Sequence, residues 1–320
     1  MKHIFITGIT GLLGTNLTHA LLDSGYRVTA IARDISKYYG KKHKNLELIQ
    51  MGLFDTYDEY LTNIDIVVHI AAATATHWIE YPEYEKINCK ASIRLFEKAK
   101  SKNVSRFVFI STANTIGYGD LNNPGTETFP IKKPFSDLHY AQSKLQAENY
   151  LLSHNNGINT IIINPTFMIG PNDSKPSSGK IILMGLNKSL VFYPPGGKNF
   201  VPVSDVVQAI ISCFEKGIPN ERYIIAGENL SYKQFFTKLK HHTNSSTLLI
   251  PIPKYLLLFI GRIGDLLRFF KIRTSLSSTN LKALCIKNFY SNKKSIQELD
   301  IKYTSLDNAI LDAIKYFQNK

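Results

Sequence analysis

The sequence predicts an α/β fold: a doubly wound parallel sheet carrying a smaller carboxyl-terminal lobe. Three observations carry the prediction. Between residue 2 and about residue 165, short β-rich runs alternate with helix-length segments, as consecutive βα units do. Several of those runs are apolar throughout instead of alternating, which suits strands covered by helices on both faces. A glycine-rich turn, Gly8 to Gly14, joins the first run to the first helical stretch.

Taken in order, the runs are HIFIT (3–7), RVTAIA (27–32), LELIQM (46–51), IDIVVHIA (64–71), RFVFIS (106–111) and NTIIIN (159–164). Helices are expected between them over Leu12–Ser24, Tyr84–Ser101 and Asp137–Asn155. Residues 1–165 therefore read as one domain. After Pro165 the texture changes. Turn formers cluster at 170–178 (GPNDSKPSS) and 193–198 (YPPGGK), and helices are expected at Ser204–Lys216, Ser231–His242 and Ser305–Phe317. Residues 166–320 read mainly as a second, substrate-binding lobe, with some segments returning to the first domain.

Composition narrows the class. With 44% apolar and 20% charged residues among 320, the chain can bury a large core and is not a disordered protein. Its 38 Lys and Arg against 25 Asp and Glu leave a formal charge of +13, which raises the question of nucleic acid. Only eight of those cations are Arg and the lysines are spread along the chain, so no nucleic-acid partner is expected. Cys89, Cys213 and Cys285 are too few and too far apart for a disulfide framework or a metal motif, which suits reduced cysteines in the cytoplasm. Met1–Thr7 does not read as a leader.

The turn reads Thr7-Gly8-Ile9-Thr10-Gly11-Leu12-Leu13-Gly14. Backbone must swing from strand to helix there and approach a pyrophosphate closely, so side chains are excluded at particular positions. The helix that follows offers free N–H groups and a positive dipole end. Strand, glycine turn, helix and second strand together make a Rossmann dinucleotide-binding domain. The second run ends in Ala32-Arg33-Asp34, with Lys37 one turn on. Arg33, seconded by Lys37, suits a 2′-phosphate and hence NADP; the alternative takes Asp34 as the acceptor for ribose hydroxyls and NAD as the cofactor.

Tyr140 and Lys144 lie four residues apart on one face of an expected helix. A free phenol titrates near pH ~10 and needs a neighbouring cation to exchange protons at neutral pH. Lys144 supplies that bias, and Tyr140 then serves a substrate hydroxyl or carbonyl while hydride moves to or from a nicotinamide. Upstream, Ser111 and Thr112 end the fifth run, at the carboxyl edge where such sheets bind ligands. This combination resembles the extended, or atypical, short-chain dehydrogenase/reductase family, the NAD-dependent epimerase/dehydratase superfamily, from residue 2 almost to the end. The resemblance implies that Tyr140 is the proton donor or acceptor, that Lys144 also holds the nicotinamide ribose, and that Thr112, with Ser111 as competitor, orients the substrate oxygen. It also implies cofactor contacts from Ala71, Ala72, Ala73 and Pro165, and a supporting role for Asn88. One departure is Gly52 in MGLFD, where many relatives carry Asp.

The family runs several chemistries. Dehydratases carry an Asp-Glu pair where this chain has Ala113-Asn114, so elimination is not expected. Epimerases acting on sugar nucleotides commonly carry Arg where this chain has Lys198, which lacks the bidentate fork. The segments 164–173 and 221–229 look most like the dihydroflavonol-reductase-like branch. The resemblance therefore implies an NADP-preferring oxidoreductase that moves hydride reversibly to the carbonyl of a small, fairly apolar substrate. Its alternatives are a sugar-nucleotide epimerase and, in another class, a non-catalytic dinucleotide-binding protein. His77, Trp78 and Met168 are candidates to line the pocket, each with an ordinary packing role as the alternative. A homodimer also fits.

From Pro253 to about residue 273 a further helix is expected, with Lys254, Arg262, Asp265 and Arg268 on one side. Leu256, Phe259, Ile260, Ile263, Leu266, Leu267 and Phe270 lie on the other. It is too interrupted by charge to span a membrane. Packing of the apolar side over the lobe's core is the default, and peripheral contact with a membrane is the alternative.

Overall fold

A computed structural model describes all 320 residues, Met1–Lys320. The chain begins β1 (His3–Thr7), α1 (Leu12–Asp23), β2 (Arg27–Ala32), β3 (Leu46–Gln50), β4 (Ile66–His69), α2 (Tyr81–Tyr84), α3 (Ala91–Ser101), β5 (Arg106–Ile110), α4 (His139–Ser153) and β6 (Asn159–Pro165). It continues β7 (Phe167–Ile169), α5 (Lys180–Gly185), β8 (Leu190–Tyr193), β9 (Gly197–Pro202), α6 (Val203–Ser212), β10 (Glu221–Ile225), β11 (Glu228–Ser231) and α7 (Tyr232–His242). Then come β12 (Leu248–Pro251), α8 (Lys254–Phe269), α9 (Ser278–Leu284), β13 (Lys287–Asn288), α10 (Lys293–Leu299) and α11 (Leu306–Gln318).

Seven parallel strands form the main sheet in the order β10-β6-β5-β4-β1-β2-β3. The period of two sorts its side chains between two cores. Ile4, Ile6, Val108 and Ile110 meet α1 and α6 on one face, while Phe5, Phe107 and Phe109 meet α3 and α4 on the other. This double burial is why the strands read as continuous apolar runs. The strand order reverses between β1 and β4, the position where doubly wound sheets open a crevice at their carboxyl ends.

Two elements of the main sheet and its cover differ from the sequence reading. The edge strand β10 was not expected as a strand: its first residues, Glu221 and Arg222, are half-exposed, and only Tyr223–Ile225 is apolar and buried. The helix expected over Tyr84–Ser101 is not uniform. It starts as α2, passes through a π-helical turn over Glu85–Lys90 and continues as α3.

The smaller lobe is built on β11-β9-β13, with β7 pairing β9, and on the pair β12-β8. Its core gathers Ile169, Ile182, Phe200, Phe235, Leu239 and Ile310. Helix α8 departs from its default placement. Its buried face is Leu257, Gly261 and Gly264, whereas Leu256, Phe259, Ile263 and Leu266 are 42%, 60%, 44% and 58% exposed. The close neighbour is the segment leading into α9: a Cβ on Gly261 would lie 2.9 Å from Ser278 Cα, and one on Gly264 would lie 2.1 Å from the Leu276 oxygen. Contact through glycines leaves the large side chains outside. No helix is long and apolar enough to cross a membrane.

Candidate active site

Three different steric demands build the glycine turn. Gly8 takes φ +81°, and a Cβ there would lie 2.6 Å from the Ala71 nitrogen, so only glycine lets β1 turn against the loop after β4. A Cβ on Gly14 would lie 2.2 Å from the Gly8 oxygen, so this residue lets α1 seat on the turn. At Gly11 a Cβ would meet nothing nearer than 3.6 Å, and the backbone there is open to close approach. Gly11 is also the N-cap of α1 and gives it no side-chain cap, which leaves N–H groups of the first turn, about Leu12 and Leu13, available to an anion. Thr10 sits in the turn between Gly8 and Gly11.

A chain of hydrogen bonds ties this turn to the rest of the site. The Ala71 N–H donates to Thr7 Oγ1 at 3.2 Å, and Thr7 Oγ1 lies 2.6 Å from His69 Nδ1. His69 Nε2 lies 2.9 Å from Ser92 Oγ, which donates to the Asn88 carbonyl at 2.8 Å. With the Ser92 proton committed there, Nε2 carries the imidazole's hydrogen and Nδ1 accepts from Thr7. Burial pushes His69 down to about 3, so it stays neutral as this chain requires. The Asn88 side chain then accepts from Ala73 N at 2.7 Å and donates to Ala73 O and Ser143 Oγ, both at 3.1 Å. Asn88 thus joins the loop Ala71-Ala72-Ala73 to α4, and it stands in the π-helical turn, a geometry frequent at functional sites. Sequence reasoning missed His69, whose only signal was an imidazole inside an apolar run.

At the tip of β2, Arg33 is exposed, whereas Lys37 pairs with Asp34. Asp34 also caps the turn over Ile35–Lys37, accepting from Ser36 N at 3.1 Å, and Lys37 and Ser36 hold its carboxyl down to about 2. The Gly52 N–H donates to Asp55 Oδ2 at 2.7 Å, so a side chain from the same loop closes the MGLFD turn.

Helix α4 carries Tyr140 and Lys144. Lys144 is fully buried; its Nζ donates to the Ile110 carbonyl at 2.7 Å and lies 4.3 Å from the Phe109 ring centroid. Burial holds its pKa down to about 7, against the upward pull of Glu148. Burial pushes the Tyr140 phenol up to about 12, while the Thr112 hydroxyl facing it pulls the other way. Thr112 also accepts from Asn114 N at 3.2 Å, which fixes the turn after β5. Ser111 is buried on the Glu148 side, and its hydroxyl makes no well-formed hydrogen bond. Of the two hydroxyls, Thr112 is the one on the phenol's side and Ser111 the one on the Glu148 side.

One turn further along the same face stands Glu148, which sequence reasoning also missed. It is fully buried, accepts from Thr115 Oγ1 at 2.7 Å and Asn164 Nδ2 at 2.8 Å, and has Arg222 Nε at 3.2 Å. Burial pushes its carboxyl up, and Arg222 is the largest opposing influence. The signal was legible in YAQSKLQAE, where Tyr140, Lys144 and Glu148 recur every four residues.

Of the candidate pocket residues, Trp78 meets Tyr84 with ring centroids 5.3 Å apart, and Tyr84 and Tyr81 both meet His139, the neighbour of Tyr140, at 6.3 and 5.7 Å. His77 is exposed, and Met168 packs against the main core. Lys198 is half-buried 5.3 Å from the Phe167 ring centroid, with burial holding it down to about 8. Pro165 ends β6 beside Ile225.

The open backbone at Gly11, the uncapped helix end and the cation at the tip of β2 fit a dinucleotide's phosphates. A putative dihydroflavonol 4-reductase of Synechocystis is 26% identical, over 98% of this chain and 94% of its own length. The sterol-4-alpha-carboxylate 3-dehydrogenase (decarboxylating) of Dictyostelium discoideum is 31% identical over 79% of this chain and 81% of its own. A UDP-glucuronic acid 4-epimerase from Bacillus cereus, solved with UDP-glucuronic acid and NAD, shares the fold with TM-score 0.79 at 20% identity, covering 99% of both chains. The model of the NAD dependent epimerase/dehydratase family matches residues 4–226, and the chain belongs to that family, as an NAD(P)-dependent enzyme of oxidoreductase type.

Proposed function

We propose that the protein is an NADP-preferring reductase of a carbonyl on a small, largely apolar molecule. The observation that carries this reading is Tyr140 one turn before the fully buried Lys144 on α4, with the Thr112 hydroxyl on the phenol's side. When bound, the cofactor supplies the hydride. Burial keeps the Tyr140 phenol protonated at neutral pH and raises it to about 12, so giving its proton to a carbonyl oxygen that Thr112 orients depends on stabilising the phenolate as it forms. The ammonium of Lys144 stabilises the phenolate left behind, and the Ile110 carbonyl and Glu148 hold that ammonium in place.

Three further observations support the finer points. Asp34 is engaged by Ser36 and Lys37 while Arg33 is free, which favours a 2′-phosphate over a bare ribose at the tip of β2. The aromatic cluster of Trp78, Tyr81 and Tyr84 beside His139 suits a flat, carbon-rich substrate, and the names of the two relatives describe a dihydroflavonol and a sterol. Ala113 and Asn114 supply no carboxylate for dehydration.

The test is spectrophotometric. NADPH oxidation is followed with a panel of cyclic ketones, including steroid ketones and dihydroflavonols, beside Tyr140→Phe. Turnover that Tyr140→Phe abolishes supports the reading. Interconversion of UDP-sugars without net NADPH oxidation, or turnover indifferent to Tyr140, would overturn it.

A further inference from the structure

We infer that α8 is a docking helix that seats the protein on an anionic lipid bilayer, next to the segment that packs against His139, the neighbour of Tyr140. At 100° per residue, Leu256, Phe259, Ile263, Leu266 and Phe270 fall within a sector roughly 80° wide. All five are exposed, and Tyr255 and Phe269 border them at 77% and 78% exposure. The buried side of the helix is Leu257, Gly261 and Gly264, so the large apolar sector points away from the protein. Soluble surfaces scatter single apolar residues and rarely gather so many on one helix.

Charge selects the occupant. Arg262 borders the apolar sector and Lys254 opens the helix; both are exposed and neither forms an ion pair. Lys271 and Arg273 follow at its far end, where they pair with Glu80 and Glu83. An amphipathic helix with cations flanking its apolar face lies in an interface, the cations meeting anionic headgroups.

The same contacts place the helix next to the segment that packs against His139. Arg268 donates to the Thr76 carbonyl at 2.7 Å, and the Lys271 and Arg273 pairs reach the segment that carries Trp78, Tyr81 and Tyr84. That segment touches His139, next to Tyr140. Docking thus fixes at the lipid surface the helix whose opposite side braces the Trp78–Tyr84 segment. Capture of an apolar substrate from the bilayer rests on the proposed function; the docking itself does not.

Sedimentation of the full chain with extruded vesicles tests this, without cofactor or substrate. Phosphatidylcholine alone is compared with phosphatidylcholine containing a quarter phosphatidylglycerol, for the wild type, Phe259→Ser/Leu266→Ser and Arg262→Glu. The wild type is expected to co-sediment with the anionic vesicles, less so in high salt, and both variants to bind at least about tenfold more weakly. NADPH binding and melting temperature, unchanged in the variants, show that they fold. No sedimentation of the wild type, or equal sedimentation of the double variant, would overturn the inference. So would a wild-type dimer in sedimentation velocity that the double variant dissolves with no vesicle binding by either. If vesicles bind but no ketone is reduced, the proposed function fails and the docking stands.

Discussion

Helices α4 and α8 break the usual partition of residues in opposite senses. On α4 the side chains that water would solvate best, Lys144 and Glu148, are buried, whereas on α8 Phe259, Leu266 and Phe269 are exposed. A charge taken from water is destabilising unless partners meet it, and apolar area left in water forgoes about 25 cal/mol per Å². Each helix therefore forfeits folding free energy, and in each case the forfeited energy points to a use elsewhere. The α4 charges are met by Ile110, Arg222, Thr115 and Asn164, beside the Tyr140 of the proposed reaction; the α8 face has no partner within the chain.

Breaking α4 at its reacting end gives the largest effect. Tyr140→Phe keeps the ring and removes the proton, and reductive kcat is expected to fall by about 10²- to 10⁴-fold with the melting temperature unchanged. Lys144→Met is expected to lower kcat similarly while stabilising the fold, which separates chemistry from packing. Folded Lys144 titrates at about 7 against an ordinary 10.5, so between those values only the unfolded chain holds the proton. Stability then rises with pH across that window, and the penalty is full below it. The gain in melting temperature from Lys144→Met should be greatest near pH 6 and vanish by about pH 10.5.

Glu148→Gln sharpens the comparison by keeping the shape and removing the charge. Glu148 raises the Lys144 pKa, so its loss lets Lys144 titrate lower. In the wild type, the reductive rate should fall as pH rises through about 7, where Lys144 loses its proton. In Glu148→Gln that limb is expected to move to lower pH, with kcat down by about 10-fold and KM little changed, as for a lost hydrogen bond to a buried charged network. A uniform loss with the pH profile unmoved would reduce Glu148 to a structural role.

How much of this was legible follows from the same physics. Strand runs were legible because a covered parallel sheet requires unbroken apolar residues, and the glycine turn because its steric demands admit no side chain at Gly8 or Gly14. That Tyr140 and Lys144 share a helix was legible from their spacing. The Glu148 and His69 networks were not, because their partners come from Asn164, Arg222, Thr7 and Ser92, which only the fold brings together. For α8 the sequence gives the amphipathic split but not which side meets the protein; Gly261 and Gly264, which let the segment before α9 approach, were the overlooked signal. At the tip of β2, Asp34 and Lys37 read as separate candidates and the fold pairs them. Arg33→Ala should therefore raise KM for NADPH by about 10-fold, the worth of one exposed phosphate contact, and leave KM for NADH nearly unchanged. An equal rise for both would mean that Arg33 reads the shared diphosphate and not the 2′-phosphate.

The smallest expected effect distinguishes α8 from a packed helix. Were Phe259 and Leu266 part of the lobe's core, their replacement by Ser would leave cavities and cost about 3 kcal/mol or more each. At 60% and 58% exposure they have little packing to lose, and surface substitutions of this kind change stability by about 0.5 kcal/mol or less. Phe259→Ser/Leu266→Ser is therefore expected to melt within a few degrees of the wild type and to reduce a water-soluble ketone at the wild-type rate. Its gain should appear as solubility, since the apolar patch is what the aqueous protein exposes. Chemical denaturation of the double variant beside Phe109→Ala, whose ring is wholly buried under Lys144, makes the contrast within one molecule. The first should leave the midpoint nearly in place, and the second should lower it in proportion to the several kcal/mol of unfolding free energy that a lost core ring costs.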